Sequence, residues 1–360
     1  MDPKSILRLI SNSSPLIIHH WDCDGVVSAV TIASYIGRRV SFESPPFKYT
    51  IDDDYLEMLE YKLEDHDVII VVDLNLSPRY LVLLSYRLGR PVVSIDHHTT
   101  KEIPRHPSIL YYNPAKDGDP QGIWPSAAHV IATLTGFYDP LLIASSIVGD
   151  LGSNAKNNRV YMKYMNEIGL DPIADFNLPN DCSMQIWGAE AMGKIDIIKN
   201  LPSSLLYGGL DPCYAILNDP ILGNLRYEAE EELKRLVSKA ENTLEAAGRN
   251  FYATKLDGNA RLVSKVARKV SSNHPNDIIM VGYLARSINR ASIYIRTRRI
   301  DVNLIDLLKS INNLGYKAGG KFQKGNNVLA VDVEPEKLDE AFNDIMDIVR
   351  KAELSHTAKV

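Results

Sequence analysis

Cysteine is scarce in this chain: Cys23, Cys182 and Cys213 are the only three among 360 residues, and none belongs to a CxxC pair. That scarcity excludes a disulfide-dense scaffold and a thiolate zinc finger, and it fits a reducing cytoplasm. Long apolar runs are also missing. No stretch approaches the roughly 20 residues needed to cross a bilayer, and the opening residues MDPKSILRLI lack the pattern of a signal peptide. The expectation is a cytoplasmic protein with no membrane partner. Positive charge is short overall, at a formal net charge of −5.

The charge is unevenly spread. Eleven Lys or Arg lie between Arg249 and Arg299 (249, 255, 261, 265, 268, 269, 286, 290, 296, 298 and 299), opposed only by Asp257 and Asp277. Exposed charges are screened beyond about 10 Å at ordinary salt, so a local basic surface attracts phosphates whatever the global sum. A solvated basic face with no ligand is the plain alternative. The length suggests two domains of ordinary size.

Residues 15–20 (PLIIHH) read as a short buried strand, followed by a helix from Val26 to Ile36. Residues 67–73 and 91–96 are further continuous apolar runs that end in acids, with a helical segment at 78–88 between them. Continuous rather than alternating apolar strands indicate a parallel sheet covered on both faces. Ligands of such sheets bind at the carboxyl ends of the strands. Segments 124–136 and 139–149 continue as helices, and 156–222 is irregular and mostly helical. The charged stretch 224–248, closed by Gly248, reads as a long connector helix. Beyond it a second unit runs strand 251–256, helix 260–272, strands 277–284 and 291–298, helix 302–313, a Gly/Lys-rich loop 315–327, strand 328–333 and helix 335–352. The fold class is therefore α/β, with a parallel-sheet N-terminal domain over 1–222, a connector over 223–248 and a smaller α/β domain over 249–360.

Four segments carry chemistry: His19-His20-Trp21-Asp22-Cys23-Asp24-Gly25, Val72-Asp73-Leu74-Asn75, Ile95-Asp96-His97-His98 and Gly149-Asp150-Leu151-Gly152. Asp22 and Asp24 are placed in the turn between strand and helix, with Gly25 allowing the bend. One acid after an apolar run is usually a strand end. Gathered at one sheet edge, unpaired carboxylates repel each other unless cations neutralise them. Asp oxygens with His nitrogens suit a first-row divalent ion such as Mn²⁺, whereas calcium prefers all-oxygen shells and structural zinc usually takes thiolates. Cys23, between two of these acids, is expected to pack inward. His66, His106, His129 and His274 are isolated and read as surface or packing residues. Trp124-Pro125-Ser126 opens a helix, and Asp52-Asp53-Asp54 is a helix N-terminus.

In this order the four segments resemble the motifs of the DHH phosphoesterase superfamily, named for the triplet that stands here as Asp96-His97-His98. That superfamily includes RecJ-type single-strand exonucleases, nanoRNA and cyclic-dinucleotide phosphodiesterases, and family II pyrophosphatases. The resemblance covers 15–155 and extends to the C-terminal unit, which is similar to the associated DHHA1 domain. It implies that Asp22 and Asp24 each hold one of two Mn²⁺ ions (Mg²⁺ being the alternative), that Asp73 bridges them, and that His97 and Asp150 complete the second site. It further implies that His98 touches the scissile phosphate and that Asp96 orients a histidine. His20 has the spacing of a further ligand, with His19 as the less favoured choice. Arg296-Thr297 resembles the family's phosphate-gripping Arg-Ser strand motif. Ala318-Gly319-Gly320-Lys321 stands where the family has Gly-Gly-Gly-His, so Gly319, Gly320 and Lys321 are expected to bind substrate, with Lys321 replacing the histidine.

The resemblance implies a metal-dependent phosphodiesterase cutting single-stranded DNA or RNA, or short oligonucleotides, from an end. The basic C-terminal unit favours such a polyanion over pyrophosphate. Cyclic dinucleotides or small phosphoanhydrides as substrates would use the same residues. A non-catalytic replication or repair scaffold, partnered by replication or repair proteins, would need none of the acids. Oligomeric state leaves no signature in the sequence.

Overall fold

The computed structural model describes residues 3–38, 40–47, 51–100, 102–299, 302, 304–323 and 326–357. The chain divides into two compact units, one formed by 1–190 with 194–226 and the other by 191–193 with 227–360.

The first unit is built on five strands, β1 Pro15–His19, β2 Ser41–Glu43, β3 Val68–Val72, β4 Val92–Ile95 and β5 Ile109–Tyr112. All neighbours pair in parallel, in the order β2-β1-β3-β4-β5. Every residue of β1, β3 and β4 is buried, as their continuous apolar sequences require. The strand order reverses direction between β1 and β3, so the loops leaving these two strands splay apart and open a crevice at their carboxyl ends. Helix Cys23–Ile36 follows β1 and packs against β1 and helices Ala127–Thr135, Pro140–Leu151 and Ile195–Tyr207. Its first eleven residues are all buried, which explains its small and apolar composition on every side.

The helix begins at Cys23 rather than Val26, capped by the Asp22 side chain, which accepts from Gly25 N at 3.0 Å. Asp24 and Gly25 therefore sit in the first helical turn, and Asp22 is the N-cap. Gly25 is required for closeness rather than for bending: a Cβ there would lie 2.3 Å from the His20 carbonyl oxygen. Asp52 caps helix Asp53–Lys62 through Tyr55 N, in line with its reading as a helix start.

Cys182 and Cys213 form a disulfide across 31 residues that joins helix Asn177–Ala191 to helix Pro212–Asn218, a pairing the sequence did not announce. Cys23 alone is a free thiol, and it is buried as expected.

The second unit holds a mixed sheet of β6 Glu245–Ala246, β7 Phe251–Gly258, β8 Ile278–Ala285, β9 Arg290–Thr297, β10 Lys317–Gln323 and β11 Asn326–Val333. Its order is β10-β11-β9-β8-β7-β6, with β7 and β8 parallel and the other pairs antiparallel. Helices Leu304–Asn313 and Leu338–Thr357 cover an apolar face formed by Phe251, Met280, Ile293, Ile295 and Leu329. Two sequence expectations change here. The connector helix ends at Asn242, because the chain then turns into β6 and pairs with β7. The supposed Gly-rich loop is strand β10, paired through seven residues with β11. Gly320 accommodates a close approach: a Cβ there would lie 2.4 Å from the Val328 carbonyl oxygen. Among the described residues no helix is long and apolar enough to cross a membrane.

Helix Asn177–Ala191 meets helix Pro220–Asn242 at Gly188, where a Cβ would lie 2.4 Å from the Arg226 backbone nitrogen. Gly188→Ala should therefore force the two backbones apart and lower stability by about 1–3 kcal/mol in urea unfolding. Gly223→Ala, whose new Cβ would meet only the Gln185 side chain at 3.8 Å, should be neutral or slightly stabilising. Equal destabilisation by both changes would contradict this packing.

Candidate metal centre

The carboxyl ends of β1, β3 and β4 deliver the first three motifs to one place, and the last turn of helix Pro140–Leu151 adds Asp150. Asp73 follows β3 with φ of 60°, a left-handed conformation that a non-glycine residue seldom adopts, and it is 2% exposed. Such backbone strain persists where the surroundings over-determine it.

Two groups of donors share Asp73. His20 Nδ1 lies 2.8 Å from Asp22 Oδ2 and 3.7 Å from Asp73 Oδ2. His97 Nε2 lies 3.2 Å from Asp150 Oδ2, 3.5 Å from Asp73 Oδ1 and 3.6 Å from Asp24 Oδ2. His20 with Asp22 and Asp73, Asp24 with His97 and Asp150, and Asp73 with His97 and His98 each present ligand atoms within 4.8 Å of one another. His19 stays outside these groups: it is fully buried, its Nδ1 donates to the His20 carbonyl at 2.7 Å, and burial draws its pKa down to about 4.

Asp96 faces the backbone instead. Its carboxylate accepts from His97 N at 2.7 Å, His98 N at 2.9 Å, Asn75 N at 2.6 Å and His98 Nδ1 at 2.7 Å. Burial opposes its charge, yet these bonds and the His98 ring hold its carboxyl below the ordinary range. The triplet is thus folded around its own aspartate, which fixes the loop and the His98 ring together.

Electrostatics divide the acids. Burial, followed by the charges of Asp24, Asp22, Asp150 and Asp96, pushes Asp73 well above the usual carboxylate range. Burial and Asp22 also raise Asp24, against the opposing pull of His97 and the amides of Ala127 and Ala128. For Asp22 burial is outweighed by His20, which holds the carboxyl well below its usual range. His97 Nε2 and Asp73 Oδ1 are buried without a hydrogen bond while facing each other and further carboxylates. Buried polar atoms left so close to acids, with only nitrogen and oxygen donors around them, fit divalent cations of the Mn²⁺ or Mg²⁺ kind.

Sequence reasoning missed the groups that steady this cluster. Asp24 accepts from Ala127 N at 2.6 Å and Ala128 N at 2.9 Å, the opening amides of helix Ala127–Thr135, whose N-cap is Ser126. His97 Nδ1 lies 3.3 Å from the Trp124 carbonyl. Backbone groups act here, and a residue's letter does not announce them. His129, read as isolated, is buried beside this segment.

In the second unit, Arg296 lies on β9 and is 5% exposed; burial and the nearby Arg268 draw its guanidinium down to about 10. Lys321 pairs in register with Val328, which pairs with Arg296, so the three occupy one cross-strand row; Gly319 and Gly320 precede Lys321 on β10. Lys324 lies outside the described residues.

Residues 15–180 match the family model described as "DHH family, N-terminal domain". No curated protein sequence matches the chain significantly. Among solved structures, exonuclease RecJ bound to manganese is 16% identical, with a TM-score of 0.66 over 97% of this chain and 93% of that one. RecJ from Thermus thermophilus in complex with Mn²⁺ is 15% identical, with a TM-score of 0.65 over 97% of this chain and 54% of that one, so the chain spans about half its length. The DHH domain of a member of a family of ribosomal proteins is 14% identical, with a TM-score of 0.65 over 97% of this chain and 89% of that one. At such identities these likenesses show the fold alone.

Burial first, and then the charges of Asp22, Asp24 and Asp150, push the Cys23 thiol well above its ordinary range. A free cysteine titrates near 8.5, so at pH 8 an exposed one reacts readily with Ellman's reagent. Cys23 should stay protonated and unreactive at pH 8 in the folded protein and react once on denaturation. Fast labelling in the native state would contradict its placement.

Proposed function

The chain belongs to the DHH family through residues 15–180, and on that premise we propose that it is a divalent-metal-dependent phosphodiesterase that shortens single-stranded DNA or RNA, or short oligonucleotides, from an end. The observation that carries this reading is the cluster centred on Asp73, a buried, strained carboxylate whose Oδ2 faces His20 and whose Oδ1 faces His97. In this reading His20 and Asp22 hold one Mn²⁺ with Asp73, while Asp24, His97 and Asp150 hold the other; Mg²⁺ is the alternative ion. Bound there, the ions neutralise the carboxylates and act as Lewis acids toward a phosphoryl oxygen.

The remaining residues position and bind. Asp96 takes the Nδ1 proton of His98 in a hydrogen bond and leaves the other ring nitrogen for the scissile phosphate. Arg296, Gly319, Gly320 and Lys321 supply substrate binding rather than chemistry. The basic excess between Arg249 and Arg299 supports a polyanionic substrate over pyrophosphate or a small cyclic dinucleotide. A replication or repair scaffold would need no carboxylate at these positions, and all of them are present.

The test uses end-labelled oligonucleotides of graded length with Mn²⁺. The protein should yield a stepwise product ladder. His98→Ala should retain about the wild-type metal content while losing turnover by roughly 10²–10⁴-fold, and His97→Ala should lose metal. Exchange of these two phenotypes would reverse the roles given to the histidines. No cleavage of any phosphodiester with Mn²⁺ or Mg²⁺ would turn the reading toward a scaffold.

A further inference from the structure

Segment 119–126 forms neither helix nor strand, yet it meets the metal cluster at two points. The Trp124 carbonyl receives His97 Nδ1 at 3.3 Å, and Ser126 caps the helix whose first amides bind Asp24. Irregular backbone does not fix its own carbonyls to this accuracy, so other groups must. Asp119 does so from inside the segment, accepting from Ile123 N at 2.9 Å and Trp124 N at 2.7 Å. Asn158 Nδ2 donates to the Gly122 carbonyl at 2.8 Å.

His129 holds the segment from the other side. Its ring centroid lies 5.6 Å from that of Trp124, and its Nδ1 is 2.8 Å from the Tyr164 hydroxyl. We infer that His129 is a positioning residue for the metal ligands His97 and Asp24, acting through segment 119–126. The inference rests on the two-ion reading given above.

Burial keeps both partners neutral, drawing His129 down to about 4 and raising Tyr164. Tyr164 is in turn braced edge-to-face by Tyr138, with ring centroids 5.3 Å apart. Loss of the His129 ring would release Trp124, and with it the acceptor that orients His97. The effect falls on one donor group, because both routes out of the segment, through the Trp124 carbonyl and through the Ala127 and Ala128 amides, lead to Asp24 and His97, which are grouped with Asp150.

Calorimetric titration of Mn²⁺ into the metal-free full-length protein tests this without recourse to activity. The wild type should bind two ions. His129→Leu should weaken one by roughly 10–100-fold, the usual effect of removing a group that orients a ligand, and leave the other unchanged. His129→Gln, which can still hydrogen-bond the Tyr164 hydroxyl, should recover part of the loss. Tyr164→Phe removes only a hydroxyl, should weaken the same ion to a smaller degree, and decides the matter if His129→Leu fails to fold. Equal weakening of both ions, or two wild-type affinities in His129→Leu and Tyr164→Phe, would overturn the inference while leaving the two-ion reading intact. A wild type that binds no Mn²⁺ would overturn that reading first.

Discussion

Mutual repulsion among buried carboxylates is the constraint around which the first unit is arranged. Asp22, Asp24, Asp73 and Asp150 converge at the carboxyl ends of β1 and β3, and burial strips Asp24 and Asp73 of the water that would screen them. The protein answers part of that repulsion itself. Helix amides take Asp24, an N-cap position takes Asp22, and four donors surround Asp96. Asp73 receives no such relief and carries the strained backbone as well. Divalent cations at this cluster would offset the repulsion that the protein's own donors leave uncompensated.

Much of this was legible in the residues. Continuous apolar runs gave β1, β3 and β4, because a strand buried on both faces has no polar position to show. The acids that end those runs then had to share one edge. The positioning groups were not legible, since Trp124 O, Ala127 N and Ala128 N act through backbone atoms that every residue possesses. Ser126 could be read as a helix start, but nothing local says which carboxylate its helix meets. The same limit hid the partnership of Cys182 with Cys213, which depends on how two helices pack rather than on spacing.

The second unit shows how glycine misleads. Gly319 and Gly320 beside Lys321 suggested a flexible phosphate loop, yet these residues form an edge strand paired with β11. Gly320 there serves close backbone approach instead of freedom. The row that joins Lys321, Val328 and Arg296 follows from strand register, which is set by pairing across the sheet.

The most direct measurement is anomalous diffraction from crystals soaked in Mn²⁺. Two peaks should stand on either side of the Asp73 carboxylate, one bounded by His20 and Asp22 and the other by Asp24, His97 and Asp150. A single peak, or none at this cluster at saturating Mn²⁺, would contradict a shared Asp73 and the two-metal phosphodiesterase built on it.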